Sequence, residues 1–172
     1  ETKYSKRNRL KVWDHLFHQY SVYPTAFAAV PHLVRMLPTL DERARVDLLI
    51  DIGSIATFAR ESDLKGVDAD IRDGYQASIE DARDMAESVF GMVSLSAEEL
   101  VYLLMGMAGL SGYSELGIAM ESLTDKEFIC TCPDCAKQVF IRENENAFLS
   151  AAEEPYFNPE VEMLPVKPYE GE

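Results

Sequence analysis

The stretch IRDGYQASIEDARDMAESV, residues 71–89, sets the fold class: Ile71, Tyr75, Ser78, Ala82, Met85, Ala86 and Val89 recur at three- and four-residue intervals. That spacing lines one side of a helix with apolar or small residues and leaves the acids on the other, as expected of a long amphipathic helix on a helical core. Working outward, the polar run Glu61 to Gly66 separates it from a preceding helix that ends near Arg60. The core face of that helix is expected to be Leu48, Leu49, Ile52, Ile55, Ala56 and Ala59, with Asp47 and Asp51 turned outward. Thr39 followed by Glu42 has capping-box spacing and is expected to open it. After Gly91, Ser96 with Glu99 repeats that spacing ahead of a fifth helix with Leu100, Leu103, Leu104, Met107 and Leu110, and Leu116, Ala119, Met120 and Leu123 predict a sixth. Toward the N-terminus, Leu10, Trp13, Leu16 or Phe17, and Tyr20 predict a first helix from Lys6 to Tyr20. Pro24 then opens a second, to about Leu37, in which Pro31 predicts a kink or a break.

Six helices on short connections pack antiparallel to their neighbours, and three such hairpins bury their apolar faces by stacking into a small right-handed solenoid. The expected fold class is therefore all-α, an α-α superhelix, with a small β-hairpin near residues 128–141. There, Phe128-Ile129-Cys130 and Val139-Phe140-Ile141 are β-prone triplets flanking a turn. A short helix from Asn144 to Ala152 should follow. The domain is expected to span 1–152, and the tail 153–172, with four of the eight prolines, is expected to be extended and pinned by Tyr156, Phe157, Met163, Leu164 and Tyr169.

Composition narrows the function classes. With 172 residues, 47% apolar and 27% charged, the chain can bury one continuous core. No stretch approaches a membrane span and no signal-peptide succession opens the sequence, so a cytoplasmic address is the default. The net charge is −14. Residues 1–40 hold six basic against two acidic side chains, and the rest hold ten against twenty-eight, so the body repels phosphate backbones and attracts a basic partner. Nucleic acid is excluded on that ground, and the short cluster Lys3, Lys6, Arg7, Arg9 and Lys11 reads as a solvated helix face.

A family resemblance enters through His18-Gln19-Tyr20-Ser21-Val22-Tyr23-Pro24-Thr25-Ala26 followed by Ala28-Ala29-Val30-Pro31-His32-Leu33, which resembles the opening repeat of bacterial HEAT-like repeat proteins. The order of later elements is similar too: Asp51-Ile52-Gly53-Ser54-Ile55-Ala56, a Leu-rich helix ending Gly109-Leu110-Ser111-Gly112, and a Cys-Pro-x-Cys element, together roughly three quarters of the chain. The resemblance implies a helical solenoid that holds a partner protein, in some such proteins within toxin and immunity systems. It implies no catalytic residue.

Four candidate constellations follow from the residues. Asp73, Glu80, Asp84 and Glu87 share one face of the long helix; paired carboxylates can hold Mg²⁺ or exchange protons, but an exposed helix face is ordinarily charged, and recognition of a basic protein is its best functional use. Cys130, Cys132 and Cys135 can point three sulfurs at one metal. Structural zinc wants a fourth ligand, which would come from His15, His18, His32 or another molecule, so a zinc site and a metal-free hairpin both stand. A dithiol redox role lacks the strand-to-helix setting that chemistry uses. His15 and His18, with Asp14 adjacent and His32 nearby, can be drawn as a metal or enzyme site, though His18 at a helix C-terminus suits a structural role. The Met-rich stretch Met105 to Met120 suits adaptable contacts or core packing. Gly-rich phosphate loops, nucleophile elbows, zinc-protease motifs and calcium loops are absent from the sequence. The expectation is a non-enzymatic scaffold for a basic protein partner, with an immunity or antitoxin role, and a zinc-binding protein or a His-lined enzyme as alternatives.

Overall fold

A computed structural model describes residues 6–89, 94–125, 127–131, 135–144, 147–151, 162 and 164–165. The described chain is mostly helical and divides into two compact units, residues 1–121 and 122–172. The first contains helices α1 (Lys6–Trp13), α2 (Pro24–Met36), α3 (Glu42–Phe58), α4 (Glu61–Leu64), α5 (Ala69–Val89) and α6 (Ala97–Leu110), and most of α7 (Ser114–Asp125).

Helix α5 follows its sequence pattern: Tyr75, Ser78, Ala82, Ala86 and Val89 are buried and Ile71 and Met85 half-buried. Its partners are α2, α3 and α6, and the Tyr75 ring meets Phe27 of α2 edge-on, centroids 5.0 Å apart. Helix α6 opens with the expected capping box, Ser96 Oγ accepting from Glu99 N and Glu99 Oε2 from Ser96 N.

Several local expectations are corrected. The first helix stops at Trp13, and a turn leads into a two-stranded hairpin, β1 (Phe17–His18) with β2 (Ser21–Val22). Phe17, Tyr20, Val22 and Tyr23 are strand-prone types, and Ser21 with Gln19 between them weakens the helical stripe, so the segment is free to pair as a hairpin. Of the kink or break expected at Pro31 the break is not formed: α2 is continuous through it, with Ala26, Phe27, Val30 and Val34 buried on both sides. Leu37–Thr39 form a 3₁₀ turn, which moves the start of α3 along; Asp41, not Thr39, caps it by accepting from Ala44 N, while the Thr39 hydroxyl donates to Met36 O. Arg45 donates to the Leu40 carbonyl and to the Leu37 carbonyl, which also accepts from Leu40 N.

The largest correction concerns α3. Asp51 does not face solvent: it is buried, as are Ser54 and Thr57 and the apolar residues around them. The most extensive helix contact is α3 on α6, then α2 on α5, rather than each helix on its immediate neighbour. The α3–α6 crossing is made by glycine. A Cβ on Gly53 would stand 2.5 Å from Gly106 Cα, so the two backbones touch. Thr57 packs against Gly109 and Gly117, and its hydroxyl is shared between Gly53 O at 2.9 Å and Met105 O at 3.1 Å. Of the stripe expected on α6, Leu103 and Leu110 are buried and Met107 half-buried, but Leu100 and Leu104 are left exposed, and Met105, Gly106, Ala108 and Gly109 enter the core instead. In α7 the same contact buries Gly117 while Leu116 and Leu123 stay exposed.

The second unit is a four-stranded antiparallel sheet in the order β3 (Glu127–Thr131), β4 (Gln138–Asn144), β5 (Ala147–Ala151), β6 (Leu164–Pro165). The expected hairpin is present, Phe128 facing Ile141 and Cys130 facing Val139. The helix expected over 144–152 is instead strand β5, paired along β4. An isolated helix of nine residues is marginal, and the open edge of β4 offers the same backbone a full ladder. Of the tail, Leu164 and Pro165 pair with β5; Tyr156, Phe157, Met163 and Tyr169 lie outside the described residues.

Replacing Gly53 or Gly106 with Ala forces the crossing apart, and each is expected to lower stability by about 2–3 kcal/mol. A Cβ on Gly66 meets nothing within 4 Å, so Gly66→Ala should be neutral or raise stability by about 0.5 kcal/mol. Urea denaturation of the three variants checks the sign difference; equal midpoints would contradict the crossing.

Candidate functional site

The carboxylates picked out by spacing lie along one face of α5. Asp73, Glu80, Asp84 and Glu87 are all exposed on α5, on the side opposite the buried Tyr75, Ala82 and Ala86. Arg83 Nη2 is 3.7 Å from Asp84 Oδ1. Glu80 and Arg83 also border a shallow cleft of about 370 Å³ with Tyr75, Gln76 and the Ser111-Gly112 turn. Burial pushes the Tyr75 hydroxyl far above its ordinary titration range, so it stays protonated.

The cysteine element is only partly within view. Cys130 and Cys135 are exposed thiols, and Cys132 lies outside the described residues. His15, His18 and His32 are each exposed. His18 belongs to β1 rather than to a helix C-terminus, and His32 Nδ1 sits 2.7 Å from Arg35 Nη2. Among the described residues, no group of three or more His, Cys, Asp or Glu side chains is placed to hold a metal ion. No helix among them is long and apolar enough to cross a membrane.

A second cleft, which the linear pattern did not disclose, opens where α1, α3 and α6 meet. It has a volume of about 470 Å³. Its aromatic wall is Trp13, Phe17, Phe58 and Tyr102; Ile50 and Met105 add aliphatic surface, and Asp51, Glu98, Glu99 and Glu121 bring carboxylates. Trp13 and Phe17 have ring centroids 5.0 Å apart, and Phe17 and Phe58 5.5 Å. The hairpin between β1 and β2 extends this run: Tyr20 lies 5.2 Å from Phe58. Gln19 and Tyr20 both have positive φ, 45° and 64°. Neither is a residue type that favours such a turn, so the hairpin carries strain that the Tyr20–Phe58 contact helps to offset.

Arg9 joins this cleft to the core. Its Nε and Nη2 donate to Asp51 Oδ2 and Oδ1 at 2.5 and 2.8 Å, a two-pronged fork, and Nη1 is 3.4 Å from Asp47 Oδ2. Glu99 is similarly committed, to the Ser96 amide and to Arg43. Burial raises the Asp51 carboxyl above its ordinary value, outweighing the hydrogen bonds and charge of Arg9; the nearby Asp47 pushes the same way. A carboxyl raised on folding contributes most to stability at pH below its unfolded value, and the contribution is lost as pH rises through the folded one.

Removing the fork on one side should be costly. Arg9→Met is expected to destabilise by about 3 kcal/mol, because Asp51 remains buried without its partner. Adding Asp51→Leu should recover most of that loss and abolish the pH dependence contributed by this position. Denaturant melts of the four members of this cycle at pH 4 and pH 7 check both effects; strictly additive losses would contradict the pairing.

The acidic face of α5 and the aromatic cleft are thus two separate surfaces of the first unit, one read from spacing and one assembled by packing. No family model matches this chain, and neither does any curated protein or any solved structure.

Proposed function

We propose that this chain is a non-enzymatic helical scaffold that docks a basic protein partner on the acidic face of α5. One observation carries the reading. Asp73, Glu80, Asp84 and Glu87 form an exposed row on a helix whose other side is locked into the core, so the surface is anionic and rigidly placed. A net charge of −14 extends the field around it and favours fast encounter with a cationic protein. The likeness of residues 18–33 to a HEAT-like opening repeat supports the same role. An immunity or antitoxin-type factor that occupies a basic toxin is the setting this combination suits best.

A short Lys/Arg-rich peptide serves as the probe. Binding should weaken by roughly tenfold or more between low and physiological salt. Glu80→Lys with Asp84→Lys should weaken it about as far again, slowing association more than it speeds dissociation. Hydrogen exchange with the peptide bound should slow along α5. Affinity indifferent to both salt and charge reversal sinks the proposal.

A further inference from the structure

We infer that the cleft walled by Trp13, Phe17, Phe58 and Tyr102 is a binding site for an organic cation, an ammonium or guanidinium group carried on an aliphatic stem. The inference stands apart from the docking role of α5, since the cleft shares none of the carboxylates on that helix.

Three features select the cation. Trp13, Phe17 and Tyr102 are half-buried where they line the cleft, and a positive head that reaches a ring face there is attracted by its quadrupole, more strongly out of water. Ile50 and Met105 give an alkyl stem an apolar surface to lie along. Charge then excludes the alternatives: four carboxylates line the cleft against one guanidinium, that of Arg9, which Asp51 and Asp47 already neutralise. An anion would be repelled, and a neutral apolar ligand would strip water from carboxylates without replacing it. Because Asp51 and Glu99 are engaged, recognition of an incoming head falls first to Glu98, which is exposed and has no salt bridge among the described residues. A volume of about 470 Å³ is ample for one such group with its stem.

Trp13 is the only tryptophan in the chain, so its emission reports on the cleft alone. The full chain would be titrated at constant ionic strength with agmatine, N-acetylargininamide, neutral N-butylacetamide and anionic butyrate. A saturable change in Trp13 emission is expected with the two cations and not with the other two. Glu98→Gln and Tyr102→Leu should each weaken the cation by about three- to tenfold, whereas Glu80→Lys with Asp84→Lys should leave it unchanged. That last variant separates the cleft from the docking face, so either reading can fail alone. Glu98 is exposed, so its variant decides the matter if Tyr102→Leu does not fold. Agmatine binding more tightly than the capped arginine assigns the site to a free amine, and the reverse assigns it to a polypeptide side chain. The inference is overturned by no saturation up to about 10 mM, by an equal response to butyrate, or by indifference to Glu98→Gln.

Discussion

The first unit depends on two helices meeting without side chains between them. At Gly53 and Gly106 the backbones of α3 and α6 are in contact, and no residue with a Cβ fits either position without displacing the other helix. Close approach of this kind multiplies the number of atoms at van der Waals distance, each pair contributing little and the whole contributing much. It also sets the rotation of both helices. Once Gly53 faces α6, Leu49, Ile52, Ile55 and Ala56 are committed to the remaining core, and α3 is enclosed along most of its length. An enclosed helix can carry polar groups only if each is answered. Ser54 donates to Ile50 O and Thr57 to Gly53 O and Met105 O.

Asp51 is the demanding case, since the residues one turn away on α3, Asp47, Leu48, Ser54 and Ile55, include no cation to answer it. Arg9 supplies the partner, which draws α1 across α3 and leaves few residues to bring the chain back to Pro24. The tight hairpin at Gln19 and Tyr20 accomplishes the return, at a cost of about 1–2 kcal/mol for each left-handed residue. Its strained corner places Tyr20 on Phe58 and closes the aromatic run from Trp13 through Phe17. The cleft is thus a geometric consequence of burying one acid in α3.

How much of this could be read beforehand follows from how local each signal is. The stripe of α5, the Ser96–Glu99 box and the pairing of Phe128 with Ile141 each lie within a few residues or one hairpin, and all were legible. The acidic face was legible for the same reason, because its four members share one helix. Gly53 and Gly106 are far apart in sequence, and only their meeting gives either a role; hydrophobic counting favoured Leu100 and Leu104, which packing left outside. Asp51 read as solvent-facing because its partner lies 42 residues earlier. The cleft draws its walls from α1, the β1–β2 hairpin, α3 and α6, so no linear spacing encodes it. Strand β5 was missed because the free edge of β4 outweighs a weak local helical preference.

The charge pattern of α5 bears on function because folding does not account for it. Glu80 and Asp84 are four residues apart and Asp84 and Glu87 three, spacings at which like charges repel by about 0.2–0.5 kcal/mol per pair. Arg83 offsets little of this, being a sequence neighbour at 3.7 Å from an Asp84 side chain that is 76% exposed. The buried stripe through Tyr75, Ala82 and Ala86 must therefore hold the helix together against its own surface. A basic partner would convert that repulsion into attraction, relieving the helix in the bound state alone. Stability forgone in the free protein would then be recovered on binding, which is why the row supports a docking surface more strongly than solubility alone would require.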